Sequence, residues 1–361
     1  GDFAKELKVL NALAHKLRKE RFKKGAINFE SEEVRFRLDE NGVPIEVFTK
    51  ERKDAHMLIE DFMLLANKEV ATFVSNKGTQ DGSEIPFVYR VHDEPNTDKV
   101  EELARFARQM GVEMNVTTPK DIARSFNKLA ALAEENEALS ILGPIAIRTM
   151  AKAEYSSDNI GHYGLAFDFY SHFTSPIRRY PDLMVHRAMA HYLAGGKALN
   201  KDELELSCKH SSQMEKQASD AERASIKYKQ AEYLLARIGQ TFEGIVSGLT
   251  SWGIYVELRE NKCEGLIGLR ALSGDVFRFD KENYCVVGQR TGRKFRLGDE
   301  LEVTIKAVDM DRRAVDFVLA GEPMTTTSGK FERRETSSRK ATSKGSRGER
   351  PQKKGKKGKR R

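Results

Sequence analysis

The chain has 361 residues, 39% of them hydrophobic and 32% charged, and a net charge of +8, enough material for two compact domains with well-solvated surfaces. The most apolar runs, at 141–147 and 57–74, are too short or too interrupted by charge to cross a bilayer, so no membrane partner is expected. Cys208, Cys263 and Cys285 are odd in number and lack CxxC spacing, which excludes a disulfide framework or a zinc site and fits a reducing cytoplasm.

Phe3, Leu7, Leu10, Ala14 and Leu17 recur at helical spacing over the first twenty residues, and the pattern breaks at Gly25. Residues 26–50 read as extended, with an Asn41-Gly42 turn between two strands of a hairpin. An amphipathic helix is predicted over 54–75, followed by a loop rich in Gly and Asp. Thr97 and Asp98 open a further helix that stops at Gly111. Pro119 opens one to about 139, and another covers about 144–153. Pro181 sits in the first turn of a helix ended by Gly195-Gly196, and the longest helix runs over 201–238 to Gly239. After Gly239 the pattern changes to short strands at 241–249, 253–258, 265–269, 283–289, 300–308 and 314–319, punctuated by Gly, Asp and Asn. Five or six such strands suit a small Greek-key barrel of the OB type.

Beyond Gly321 the sequence is rich in Ser, Thr, Lys, Arg and Gly and is expected to be disordered. Residues 330–361 carry 15 Lys/Arg against 3 Asp/Glu, a net of +12, which leaves residues 1–329 at −4. A dense cationic run of this kind attracts a polyanion and releases counterions on binding, so nucleic acid or the ribosome is its natural partner. A solvated tail that only aids solubility is the plainer alternative.

The most informative stretch is residues 162–186, HYGLAFDFYSHFTSPIRRYPDLMVH. Phe173-Thr174-Ser175-Pro176-Ile177 reads as a tight connection that projects Arg178-Arg179, and Pro181 then launches a helix whose first amides also favour an anion. Two guanidiniums beside a helix start form a phosphate clamp, because the planar fork of Arg binds phosphate oxygens bidentately. The same residues also fit an internal salt bridge, with Asp182 or a distant acid neutralising the arginines.

At His162, Tyr163-Gly164, Tyr170-Ser171, Phe173-Thr174-Ser175-Pro176, Arg178-Arg179-Tyr180, Asp182 and His186 the string resembles the signature of the RNB catalytic domain of the ribonuclease II/R family. Similar order extends over about 320 residues, through the FESEE segment at Phe29, the DAHMLIEDFMLLAN helix and Ala221-Glu222-Arg223 on the longest helix. The fold class implied is α+β. A mainly helical C-terminal portion of an RNB domain (1–238) precedes an all-β S1-type OB barrel (239–320) and a basic tail (321–361).

The resemblance further implies processive 3′→5′ hydrolysis of single-stranded RNA to nucleoside 5′-monophosphates by a metal-activated water, with Mg²⁺ as the cofactor. Arg178 falls where the family places its catalytic arginine, and Arg179 and Tyr180, which follow it, are expected to bind RNA. Glu60 and Glu222 fall at positions similar to family acids that line the RNA channel, although both also fit surface or helix-pair charges. Phe29 or Phe36 supplies an aromatic for the terminal bases, and either equally fits a core position. In the barrel, Trp252 and Tyr255 stand where S1 domains expose aromatics for base stacking, and Asp309 and Arg313 match polar RNA contacts. For Trp252 a core position is the alternative.

Two departures stand out. The family's aspartate cluster, of the form DxxxxKDFDDA, does not occur; the aspartates are scattered singly at Asp39, Asp54, Asp61, Asp81, Asp93, Asp98 and Asp121. Gly268 replaces a usual His in the third barrel strand. With Gly1 rather than Met at the start, the chain is expected to be a fragment, inactive alone and monomeric, whose metal ligands lie upstream. The barrel and Lys-rich tail resemble the ribonuclease R branch more than the ribonuclease II branch, and the tail is expected to help hold structured RNA. A non-catalytic RNA-binding or ribosome-associated protein on the same scaffold is the second reading. A protein-interaction platform tethered by its tail is the third.

Overall fold

In the computed structural model, residues 1–28, 33–80, 85–136, 139, 142–281 and 283–321 are described. Phe29 and residues 322–361 of the basic tail lie outside the described residues. Helix α1 (Ala4–Lys24) ends where Gly25 adopts φ 111°, a conformation that side-chain-bearing residues rarely take. Its apolar stripe is only half covered. Ala14 is buried and Leu17 half-buried, while Phe3, Leu7 and Leu10 stay exposed. The covered half packs on α2 (Asp54–Gln80), where Arg18 donates to buried Asp61 at 2.9 and 2.7 Å and Arg21 adds a third contact at 3.4 Å.

Between these helices lies the antiparallel hairpin β1 (Glu33–Leu38) and β2 (Pro44–Lys50), which pairs Phe36 with Val47. The Asp39 carboxylate accepts from the Asn41 and Val43 amides at 2.9 and 2.8 Å and closes its turn. Val34 and Phe36 pack against the core through the alternation of the strand.

Three helices follow: α3 (Thr97–Gln109), α4 (Pro119–Glu135) and α5 (Leu142–Thr149). The Asn96 side chain caps α3 through Lys99 N, and Thr118 caps α4 through Asp121 N, each satisfying an amide that has no partner inside its helix. Helix α4 ends four residues before its predicted stop. The long α7 (Lys201–Leu235) is capped by Asn200, whose side chain accepts from Asp202 N and Glu203 N. A two-stranded ladder that sequence reasoning did not anticipate joins β3 (Tyr89–Val91) to β4 (Glu154–Ser156). Ala71 and Val74 of α2, Tyr89, Tyr155, Cys208 of α7, and Met184, Val185 and Ala188 of α6 (Tyr180–Leu193) form one apolar cluster around this ladder.

The second half is a closed five-stranded barrel in the order β11-β12-β7-β6-β5: β5 (Thr241–Leu249), β6 (Gly253–Leu258), β7 (Glu264–Gly268), β11 (Glu300–Asp309) and β12 (Ala314–Leu319). Val246, Ile254, Val256, Ile267, Val303, Ile305 and Phe317 fill it. Gly265 must lack a side chain because a Cβ there would sit 2.4 Å from the Phe317 ring. The sixth strand candidate, at 283–289, is not a barrel strand. It is β9 (Cys285–Gly288), the centre of a separate meander with β8 (Phe277–Asp280) and β10 (Lys294–Arg296) inserted between β7 and β11. The meander meets the helical half where Tyr284 packs against Phe106 of α3, ring centroids 5.7 Å apart.

Cys208, Cys263 and Cys285 are all free and buried. Burial pushes the Cys208 and Cys263 thiols up to about 12 and also raises Cys285. Among the described residues, no helix is long and apolar enough to cross a membrane.

Candidate nucleic-acid interface

The segment that carries the arginines is irregular, so its shape must come from side chains. Asn67, buried on α2, accepts from the amides of Phe173 and Thr174 at 2.9 and 3.2 Å and donates to the Tyr170 hydroxyl at 3.1 Å. Asp182, fully buried in the first turn of α6, accepts from the Ser175 amide at 2.7 Å and from Arg179 Nη2 at 2.8 Å. His186 bonds the Phe173 carbonyl at 2.9 Å while its ring stacks on Phe173. Held from beneath at these points, the turn lifts Ile177, Arg178 and Tyr180 into solvent. Of the two readings weighed from sequence, the internal salt bridge holds for Arg179, which is paired with Asp182, while Arg178 projects without an ion pair among the described residues.

Beside this turn is an open cleft whose lining includes His56, Ile59, Glu60, Asn67, Tyr170 and Arg179. Glu60 and Arg179, singled out from sequence, meet here; Glu60 is also bonded to Arg52. Behind the cleft lies a neutral polar layer. Burial lowers His172 to about 2 and His162 to about 3, with nearby arginines and His92 adding to the effect. Burial also raises Tyr155 to about 12. The Tyr155 hydroxyl and Nδ1 of neutral His172 share a hydrogen bond of 2.9 Å. His92 is fixed in one tautomer, its Nδ1 accepting from Gly164 N at 3.0 Å and its Nε2 donating to Ala151 O at 2.9 Å. Arg90 bonds Glu215 of α7 at 2.6 Å and lies over the Tyr155 ring. With His162 and His172 neutral near neutral pH, the positive charge of this wall is that of Arg90, which Glu215 pairs.

The other sequence candidates fall elsewhere. Phe36 is half-buried against the core of the hairpin, and Glu222 is exposed on α7. On the barrel, Trp252 is 60% exposed and donates from Nε1 to the Tyr255 hydroxyl at 3.3 Å, so the two aromatics form one surface pair. Asp309 and Arg313 are both exposed in the β11–β12 turn, where Asp309 accepts from Arg312 N at 3.0 Å. Gly268 faces Gly253 across the ladder, and a Cβ there would meet open space. Sequence reasoning missed Asn67, Tyr155 and His172. The available signal was a polar residue on the inward stripe of an amphipathic helix, as Asn67 is on α2.

Residues 2–195 match the RNB domain family, and residues 235–319 match the S1 RNA binding domain. The chain belongs to the RNB family. Its RNB segment contains the arginine turn and the cleft, and its S1 segment contains the aromatic pair. Ribonuclease R of Aquifex aeolicus is 38% identical over 319 residues, 87% of this chain and 44% of that protein. Ribonuclease R of Escherichia coli is 34% identical over 357 residues, 94% of this chain and 43% of that protein. The chain thus spans less than half the length of these relatives. The structure of Mycoplasma genitalium RNase R in complex with ribose methylated single-stranded RNA superposes with a TM-score of 0.79 at 29% identity, over 87% of this chain and 49% of that one.

Proposed function

We propose that the chain is the C-terminal part of a 3′→5′ exoribonuclease of the ribonuclease R type, which degrades single-stranded RNA to nucleoside 5′-monophosphates. On this reading it divides near 238 and 320 into an RNB portion, an S1 barrel and a basic tail. The observation that supports it best is the turn at 173–180. Two buried side chains from different helices hold an irregular segment so that Arg178 stands free beside a cleft lined by Tyr170 and Arg179. An unpaired guanidinium on a rigid support is suited to the charge that grows on a phosphate oxygen during phosphodiester cleavage. Arg179, neutralised by Asp182, orients the backbone next to it. Trp252 and Tyr255 hold incoming bases by stacking, with Asp309 and Arg313 as polar contacts.

Hydrolysis in this family implies Mg²⁺. Among the described residues no group of three or more His, Cys, Asp or Glu could hold a metal ion. The described residues thus do not fit the metal, whose ligands on this reading belong to another part of the protein, and no step is derived through it. Within the tail, residues 330–361, at +12, add affinity for structured RNA or the ribosome. A monomer in a reducing cytoplasm completes the proposal.

The test compares this chain with a longer protein that contains it, on end-labelled single-stranded RNA with Mg²⁺. The chain alone should bind RNA and release no nucleotide, and the longer protein should release 5′-monophosphates. Metal-dependent release by the chain alone would overturn the division of labour. Tight binding with no hydrolysis by the longer protein would favour a non-catalytic RNA-binding protein, the reading that the missing metal cluster keeps open.

A further inference from the structure

The meander β8–β9–β10 interrupts the barrel without lining it, and its charge differs from that of its surroundings. Residues 277–296 carry six Lys/Arg against two Asp/Glu, a net of +4, while the remainder of residues 1–329 is at −8. Register sorts its side chains by face. Phe279, Val286 and Phe295 align across the three strands and turn inward, as does Phe277. The neighbouring rows, Arg278–Val287–Lys294 and Asp280–Cys285–Arg296, lie on the opposite face, where Arg278, Lys294 and Arg296 are exposed and Cys285 is buried. None of these three has an ion-pair partner among the described residues. Lys281, Arg290 and Arg293 stand exposed at the two turns of the same sheet. Arg278 and Lys294 flank the central strand, so their Cα atoms are separated by two strand spacings, about 9–10 Å.

The face is cationic and carries no aromatic platform, since Phe277, Phe279 and Phe295 point the other way and Tyr284 packs on Phe279 and Phe106. Unstacked bases need such a platform. A duplex keeps its bases stacked on each other and offers its backbone and shape instead. We propose that the outer face of this meander is a second RNA-contact surface, which grips the sugar-phosphate backbone of a duplex stem while Trp252 and Tyr255 take unpaired bases. The inference rests on the RNA-binding reading above and adds to it a site with a different ligand. Cations on the two edge strands would also discourage edge-to-edge pairing between copies, and the test separates that role from RNA binding.

The full chain, with its tail present in every arm, is titrated by fluorescence anisotropy with a blunt RNA hairpin of about 16 base pairs, the length a double-strand reader spans. A parallel titration uses oligouridylate of equal nucleotide count, each over a range of salt. The variant R278Q/K294Q/R296Q is expected to bind the hairpin more weakly. Its slope of log K against log salt should be shallower by about 2–3, roughly one per lost phosphate contact, with oligouridylate binding unchanged. Trp252→Ala should do the reverse. A control, K5Q/K8Q/K16Q, removes the same charge from the exposed face of α1 and should leave both titrations as in the parent. An unchanged hairpin slope in the meander variant sinks the proposal. So does an equal loss for both RNAs, or an equal effect of the control. A chain that binds neither RNA overturns the RNA-binding reading as well. Oligouridylate binding that depends on Trp252, with no meander effect, leaves that reading standing and removes only this one.

Discussion

The turn that carries Arg178 and the loop that carries Trp252 both present a side chain to solvent, yet they are held by opposite means. Asn67 reaches the turn from 106 and 107 residues away, and Asp182 closes it from the next helix. The Trp252 loop is closed locally, by Thr250 N donating to Gly253 O at 3.0 Å and by the Thr250 hydroxyl accepting from Gly253 N at 3.1 Å. Buried, long-range support fixes position and makes it costly to disturb. Local support leaves a surface residue replaceable. On the proposed reading Arg178 must meet one reacting atom and needs the first kind, and Trp252 is a platform for whatever base arrives and needs only the second.

The largest expected effect breaks this comparison at the chemistry. Arg178→Ala in the longer protein should lower kcat by about 10²–10³, or roughly 2.7–4 kcal/mol in barrier, with a much smaller change in KM. A loss confined to KM would make Arg178 a binding residue only. Next is the support itself. Asn67→Leu strips partners from the Phe173 and Thr174 amides and should destabilise the chain by about 2–4 kcal/mol, read as a shift of the urea midpoint by circular dichroism. Trp252→Ala should move that midpoint by less than about 0.5 kcal/mol while weakening single-stranded RNA binding by about 1–3 kcal/mol.

The last prediction sharpens the contrast through acid. All eight histidines lie before residue 239 and none is in the barrel. His172 and His162 have folded-state values near 2 and 3, far below that of an unfolded histidine. Their contribution is complete above about pH 6.5, where both states are neutral, and falls as pH drops from there toward 3, because only the unfolded chain takes up the protons. Each contributes a slope of at most about 1.4 kcal/mol per pH unit. The helical signal at 222 nm should therefore collapse at a higher pH than the barrel amides lose their exchange protection. Simultaneous loss would show that the two halves unfold as one.

The difference in support also explains what could be read in advance. The barrel strands, the arginine turn and most helices follow local rules of alternation, capping and turn chemistry, and they appear close to their expected places. The β3–β4 ladder pairs two three-residue strands across more than sixty residues, too short for alternation to mark either one. The three meander strands have only three or four residues each, too few for alternation to separate them, and the sequence shows a single strand over 283–289. At the site, Arg178 was legible as a motif residue. The ion pair of Arg179 with Asp182 was legible only as one of two options. The partners of Asn67 were hidden because its side chain serves a segment more than a hundred residues away.

The three cysteines fall one to each region: Cys208 in the helical half, Cys263 in the barrel and Cys285 in the meander. Each is shut off from solvent, and burial holds each thiol protonated, so a thiol reagent reacts only when the surrounding region opens. The chain thus carries three native clocks. Labelling followed by peptide mass analysis reads the opening of three regions in a single sample, with no residue changed.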